Sequence, residues 1–470
     1  MHGRYMSFKK YILFILFISF SCKNLIDEKT SKKYNVVWIV YEDQSPEFFP
    51  QYSDVPIKLP AIQSLADEGV VFYNMHSPSA VCAPSRSAII TGMYPTTLGT
   101  HNMRTYNAYR NGVNEPSIGI PSYSPDFPDY IRPFTEYLRN AGYYCTNNNK
   151  EDYNFKISNE AWDESSYKAH WKNNVDKKPF FAIFNDGQMH ESSIWLQTEN
   201  DILLDKSKIK IPPYFPDTEK VRHDLAVNYS NLVRADKKTA KIIQEIKDAG
   251  EYDNTYIFFY SDHGGPFPRY KRAIYDTGTK VPFIIKPPKG IKLKADPNQL
   301  LSFIDLAPTI LSIAGVDIPS HIQGKAFIGQ QKKYSHKFIY TATDRFDAQI
   351  DRIRAVSNGH YKYIRNYDTL KPHALDVSYR LQIPMMQELL QLYDAGKLNE
   401  AQSKWLNSPK PDEEFYDLIN DPYEIVNIIN SKDQIECIVK FRKALDEWVI
   451  NTNDLGEMPE MDIIPASYLK

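Results

Sequence analysis

Asn35-Val36-Val37-Trp38-Ile39-Val40-Tyr41-Glu42-Asp43 is the stretch from which the fold follows. An unbroken run of β-branched and aromatic residues, with no polar residue at alternate positions, reads as a strand buried on both faces of a parallel sheet. It ends in two adjacent carboxylates, Glu42 and Asp43, at the edge where open α/β sheets place their ligands. A solvated acidic loop is the ordinary alternative, but the pattern recurs. Tyr256-Ile257-Phe258-Phe259-Tyr260-Ser261-Asp262-His263-Gly264-Gly265 is a second buried strand that delivers a carboxylate, and its glycines let the backbone come close to a bound group. Pro179-Phe180-Phe181-Ala182-Ile183-Phe184-Asn185-Asp186 is a third strand with polar residues at its exit, and it leads to His190. Oxygen-rich sites of this kind suit Ca²⁺ or Mg²⁺, and flexible carboxylates favour Ca²⁺. His263 is a softer ligand than calcium prefers.

Helical patterns lie between the strands. Leu225 to Ala249 carries apolar residues on one face and ends at Gly250, a natural C-cap. Strands alternating with helices imply an α/β domain on a mostly parallel sheet, here over residues 35–350. Beyond that the character changes. Arg354-Ala355-Val356 and Tyr361-Lys362-Tyr363-Ile364-Arg365 read as short consecutive strands, and a final helix is predicted around Gln434 to Trp448. Residues 351–470 are therefore expected to form a smaller subdomain of antiparallel sheet plus helix.

The chemistry centres on Ala80-Val81-Cys82-Ala83-Pro84-Ser85-Arg86, followed by Ser87-Ala88-Ile89-Ile90-Thr91-Gly92. Pro84 presets φ near a helix start, Ser85 is placed to satisfy an orphan amide, and the free amides of a helix N-terminus suit an anion such as sulfate. A free cysteine is most often a small buried apolar residue. Cys-x-Pro-Ser-Arg continued by Ile-Ile-Thr-Gly, however, resembles the signature of the type I sulfatases of the alkaline phosphatase superfamily. The resemblance runs from about Asn35 into the C-terminal region. There Ile304-Asp305-Leu306-Ala307-Pro308-Thr309 is similar to a family helix, and Phe415-Tyr416-Asp417-Leu418 with Asp421-Pro422-Tyr423-Glu424 and Asn427 is similar to the C-terminal signature.

This resemblance implies an alkaline phosphatase-like sheet and hydrolysis of a sulfate ester or sulfamate. Cys82 would be oxidised by a maturase to formylglycine, whose hydrate is the nucleophile. One Ca²⁺ would be held by Glu42, Asp43, Asp262, His263 and the modified residue 82. Arg86, Lys150 and Lys271 would neutralise sulfate oxygens, and His190 would protonate the leaving group. Asp152 stands where many relatives have histidine, and either Asp152 or His101 takes that role. His101, Arg104 and Arg269 are candidate sugar contacts. The segment from Asp262 to Lys271 looks most like heparan N-sulfatases and bacterial polysaccharide sulfatases, so the expected substrate is a glycosaminoglycan or an algal polysaccharide such as ulvan. The alternatives are a phosphate or phosphonate monoester hydrolase of the same superfamily and a non-catalytic glycan-binding lipoprotein.

The whole chain agrees with an exported enzyme. At 470 residues it buries a large core, and a formal net charge of −2 gives no reason to expect nucleic acid. Arg4, Lys9 and Lys10 precede the apolar run Tyr11 to Phe20, too short for a bilayer span but suited to a signal peptide. Ser21-Cys22 resembles a bacterial lipoprotein cleavage site, although Ser19 replaces the usual Leu. Residues 1–22 are thus expected to be a signal peptide with lipoprotein cleavage before Cys22, which would carry the lipid, and polar residues 23–34 a tether. The localisation that follows is the periplasm or an outer-membrane anchor in a Gram-negative bacterium, with soluble secretion as the alternative. Only four cysteines exist, so this is no disulfide scaffold, and pairing of Cys145 with Cys437 is left open.

Overall fold

The first strand, β1 (Asn35–Tyr41), is buried at all seven positions. Val37, Ile39 and Tyr41 enter one hydrophobic cluster and Val36, Trp38 and Val40 another, so the two-residue period of a strand feeds a core on each face of the sheet. The computed structural model describes residues 1–3, 32–106, 119–197, 201–333 and 336–469, so Cys22 and nearly all of the expected leader and tether lie outside the described residues.

Seven more strands complete the main sheet: β2 (Val70–His76), β3 (Tyr144–Asn148), β4 (Glu164–Ser165), β5 (Phe180–Asp186), β6 (Thr255–Ser261), β7 (Lys280–Lys286) and β8 (Leu301–Ser302). Their order is β4-β3-β5-β1-β6-β7-β2-β8. β1 lies between β5 and β6, parallel to both, while β7 runs antiparallel to β6 and β2. The sheet is therefore mostly parallel, as expected. Because β5, β1 and β6 are neighbours in one direction, their polar C-terminal ends open side by side, which builds the site.

Helices cover both faces. The long helix Glu219–Asp248 starts earlier than its pattern suggested, with Thr218 accepting from the Val221 N–H at 3.3 Å, and is followed by Gly250 at φ +73°. On the other face α2 (Cys82–Thr91), the second helix after α1 (Pro60–Asp67), is buried along its whole length. It stops at Gly92, where φ is +69° and a Cβ would stand 2.9 Å from the Ile322 side chain, so only glycine fits there.

A four-stranded antiparallel sheet follows, in the order β12-β11-β10-β9. It comprises β9 (Ile339–Phe346), β10 (Gln349–Ser357), β11 (Tyr361–Asn366) and β12 (Glu413–Asp417), with the helix Ile435–Asn451 against it. Val356, Tyr363 and Phe415 of this sheet share a cluster with Phe441 and Trp448 of that helix and with Ala88 of α2. The small sheet thus buttresses the helix that carries Cys82. Residues 33–470 form one unit. Cys145 and Cys437 are both free thiols, and among the described residues no helix is long and apolar enough to cross a membrane.

Candidate active site

The ends of β1, β5 and β6 meet the N-terminus of α2. Asp43 follows β1 at φ +55°, and its N–H donates to Asp262 Oδ1 at 3.1 Å. His263 Nδ1 donates to the Gly264 carbonyl at 2.9 Å, and its Nε2 stands 3.1 Å from Asp43 Oδ1 and 3.7 Å from Asp262 Oδ1. That Nε2 is buried yet makes no aligned hydrogen bond. Burial opposes a charged imidazole, but Asp262 and Asp43 outweigh it and lift His263 to about 10, so this point demands positive charge. Asp43, Asp262 and His263 each offer a ligand atom within 4.8 Å of the others. Two carboxylates and an orphaned imidazole nitrogen fit one divalent cation.

Glu42, expected in the same set, is turned toward Lys150 instead. A buried carboxylate takes the nearest cation, and Lys150 holds Glu42 far below the usual carboxylate range against the opposing effect of burial. Lys271 Nζ donates to both Asp43 oxygens, at 3.0 and 2.8 Å, and lies 3.2 Å from Glu191 Oε1. Burial works against its charge, but Asp43 and Glu191 push its pKa well up.

Cys82 is the first residue of α2 and is 1 % exposed. Ser85 does not cap the helix as its position suggested. Its hydroxyl bonds to the Asp262 carbonyl and to Ser77 Oγ, bracing α2 against the end of β6. With no side-chain cap, the first amides of α2 stay available to a ligand. Arg86, one turn on, places Nε 3.1 Å and Nη2 2.9 Å from Asp262 Oδ2, with Nη1 2.7 Å from Asn185 Oδ1. A negative charge at residue 82 is felt by Arg86, Arg104, Lys150, Lys271 and Arg272 alike, and His263 is within hydrogen-bonding reach of it. Five cations converge on one side chain.

His190 Nδ1 accepts from the Ser192 N–H at 3.3 Å and meets Ser192 Oγ at 2.8 Å, so Nε2 carries the proton. Burial, then Lys271, lowers its pKa. Sequence reasoning missed two neighbours. Glu191 accepts a two-pronged ion pair from Arg272 at 2.8 and 2.7 Å, and the Glu191 N–H donates to Asp43 Oδ2 at 2.8 Å. Arg272 and Lys271 hold the Glu191 carboxyl at about 2 although burial pulls it up. The signal was adjacency: each directly follows a residue already singled out.

The remaining expectations divide. Arg104, at φ +55° and exposed, lies in the field of Cys82 and Asp152. Asp152 lies 3.8 Å from Lys150, whereas the carboxylates that feel His101 are Asp344 and Asp454. Of the two candidates for the family histidine's place, Asp152 is the one brought to Lys150. Arg269 is not brought to the site. It is 5 % exposed, donates to the Tyr423 and Glu424 carbonyls at 2.8 and 2.9 Å, and packs on Tyr214 and Tyr275 at 4.5 and 4.1 Å. A guanidinium sandwiched by two aromatic rings ties down the 423–424 turn and is not offered to a sugar.

Fold and site together define a sulfuric ester hydrolase: residues 34–316 match the Sulfatase family, and residues 267–408 match the family described as N-sulphoglucosamine sulphohydrolase, C-terminal. The chain belongs to the sulfatase family. It is 40 % identical over 471 residues to an ulvan-active sulfatase of Formosa agariphila, covering 93 % of this chain and 78 % of the relative. Human N-sulphoglucosamine sulphohydrolase is 22 % identical over 454 residues, 86 % of this chain and 87 % of that one. The solved structure of a 2-O GAG sulfatase shares the fold, with a TM-score of 0.64, 17 % identity, and coverage of 90 % and 93 % of the two chains.

Proposed function

We propose that the protein removes sulfate from a sulfated polysaccharide or its oligosaccharides, with a formylglycine made from Cys82 by a maturase and one Ca²⁺ held by Asp43, Asp262 and His263. The observation that carries this reading is the convergence of five cations and an uncapped helix N-terminus on buried Cys82, beside a carboxylate–imidazole trio. When present, the formylglycine hydrate supplies the nucleophile and Ca²⁺ the Lewis acid. Arg86, Lys150 and Lys271 set positive charge where the sulfate oxygens gather negative charge. Arg104 and Arg272 extend that field, and Glu191 holds Arg272 and Lys271 in place. His190 gives its Nε2 proton to the departing sugar oxygen or nitrogen.

The relative described as ulvan-active, at 40 % identity, supports a sulfated polysaccharide as the substrate class. A panel of defined sulfated oligosaccharides, assayed for free sulfate beside phosphomonoesters, tests the reading. Sulfate release from at least one oligosaccharide, faster than any phosphate release, is the expected result. Faster phosphate release from every member would replace the reading by a phosphate or phosphonate monoester hydrolase.

A further inference from the structure

The Nδ1 edge of His190 is held by Ser192, two residues on in the same loop, through both its N–H and its hydroxyl. The χ2 torsion of histidine has a broad minimum, so a contact at one edge leaves Nε2 free to swing. The direction of Nε2 then depends on what packs against the ring. Tyr379 packs there. The two ring centroids are 6.0 Å apart with the planes at 58°, and Tyr379 also meets the Trp195 ring edge-on, at 5.2 Å and 80°. Trp195 ends the short helix Ser192–Trp195 that follows His190. Tyr379 therefore contacts two rings of the one loop that carries His190.

Tyr379 itself comes from a distant part of the chain, residues 367–412, which connect β11 to β12 of the small sheet. Just before it, Leu375 and Val377 are buried while Asp376 and Ser378 are exposed. Leu375 and Val377 share a cluster with Val81, Cys82 and Ala83, and Tyr379 packs against that cluster. One short stretch thus touches both the start of the helix that carries Cys82 and the ring of His190. The stretch is braced from behind. Arg380, 2 % exposed, donates from Nη2 to the Leu375 carbonyl and lies over the Trp405 ring at 4.9 Å. A few residues on, the Met385 N–H donates to Asp224 Oδ2 at 2.7 Å, tying the same connection to the long helix Glu219–Asp248.

Resting on the proposed role of His190 as the acid, we infer that Tyr379 is a positioning residue whose ring fixes the direction of His190 Nε2 relative to residue 82. The connection between β11 and β12 then aligns proton donor and nucleophile. Tyr379 acts through His190, so its effect grows with the need of the leaving group for a proton.

The test compares wild type, Tyr379→Ala, Tyr379→Phe, His190→Ala and the double variant His190→Ala/Tyr379→Ala on two substrates: 4-nitrophenyl sulfate and a sulfated tetrasaccharide that the wild type desulfates. Tyr379→Ala lowers kcat on the tetrasaccharide about 10- to 100-fold, the cost of a misaligned catalytic group, with KM unchanged. Tyr379→Phe keeps the ring and restores kcat. On 4-nitrophenyl sulfate Tyr379→Ala and Tyr379→Phe match the wild type, which also shows that they are folded. The double variant is no slower on the tetrasaccharide than His190→Ala, because residues acting as one unit are not additive. A tetrasaccharide KM that rises with kcat unchanged would make Tyr379 a sugar contact and overturn the inference, as would equal kcat losses on both substrates or additive losses in the double variant. His190→Ala losing equally on both substrates would bring down the reading of His190 and this inference with it, a result visible before any Tyr379 variant is compared.

Discussion

Arg86 Nη2 stands 2.9 Å from Asp262 Oδ2, and the two side chains are 6 % and 0 % exposed. The pair links the helix that carries Cys82 to the end of the strand that delivers the candidate metal-site carboxylate. Removing the cation leaves Asp262 buried with less compensation, a loss of about 3–5 kcal/mol for a broken buried pair. Arg86→Met is therefore expected to lower the unfolding free energy by about that much in chelated protein, measured by urea denaturation, with added Ca²⁺ recovering part of it. A loss under about 1 kcal/mol would mean that the pair is not the brace described. Stability is the cleaner readout because Arg86 also belongs to the segment a maturase would read.

Asp43, Asp262 and His263 give the metal assignment its own test. Dialysis against a chelator should abolish sulfate release and lower Tm, and Ca²⁺ should restore both. At a hundredfold excess over Kd the ion adds about 2.7 kcal/mol. Asp43→Asn should remove the Ca²⁺-dependent rise in Tm. An unchanged Tm in millimolar Ca²⁺ would remove the ion from this site.

The protonation proposed for His190 should matter in proportion to how poor the leaving group is. His190→Ala should cut kcat on a sugar sulfate by roughly 10²–10⁴-fold, the range for a positioned general acid. On 4-nitrophenyl sulfate, whose phenolate departs without help, the loss should be far smaller. Equal losses on both substrates would make His190 a binding residue instead.

β1 and β6 were legible in the sequence because a strand buried on both faces writes itself as an apolar run, and the carboxylates after it mark the open edge. The long helix after Thr218 and the small antiparallel sheet were legible by period as well. What stayed hidden depends on contacts between distant residues. Glu191 and Arg272 meet across 81 positions, and nothing local distinguishes a paired arginine from a solvated one. Lys271 was expected at the sulfate and Arg269 at the sugar, yet positive φ at Arg269 and Arg272 turns the chain so that these cations face different partners. Glu42 and Asp43 looked like one ligand pair, and only the position of Lys150 separates their roles.

Asp224 sets a pH dependence away from the site. It lies unexposed on the helix Glu219–Asp248, with Oδ2 accepting from the Met385 N–H at 2.7 Å and Oδ1 unpartnered. Burial pushes its pKa up to about 7. A folded-state pKa above the unfolded value of about 3.9 means that its contribution is full below pH ~4 and is lost as pH rises through ~7. Asp224→Asn should remove that slope and be more stable than wild type at pH ~8 by about 2–4 kcal/mol. Parallel stability–pH curves for the two proteins would contradict the assignment.

Cys22 carries the anchoring proposal. Cys22→Ala should move the protein from the membrane fraction to the soluble one. A wild type already found in the soluble fraction would leave plain export as the route.

Residue 82 is where the account is most exposed to refutation. Peptide mass spectrometry of protein produced with a maturase, read beside sulfate release from the same preparation, measures it directly. The account predicts that the peptide spanning Cys82 carries an aldehyde in place of the thiol, that activity rises in proportion to the converted fraction, and that Cys82→Ala is inactive. A fully active preparation in which Cys82 remains an unmodified thiol would contradict it.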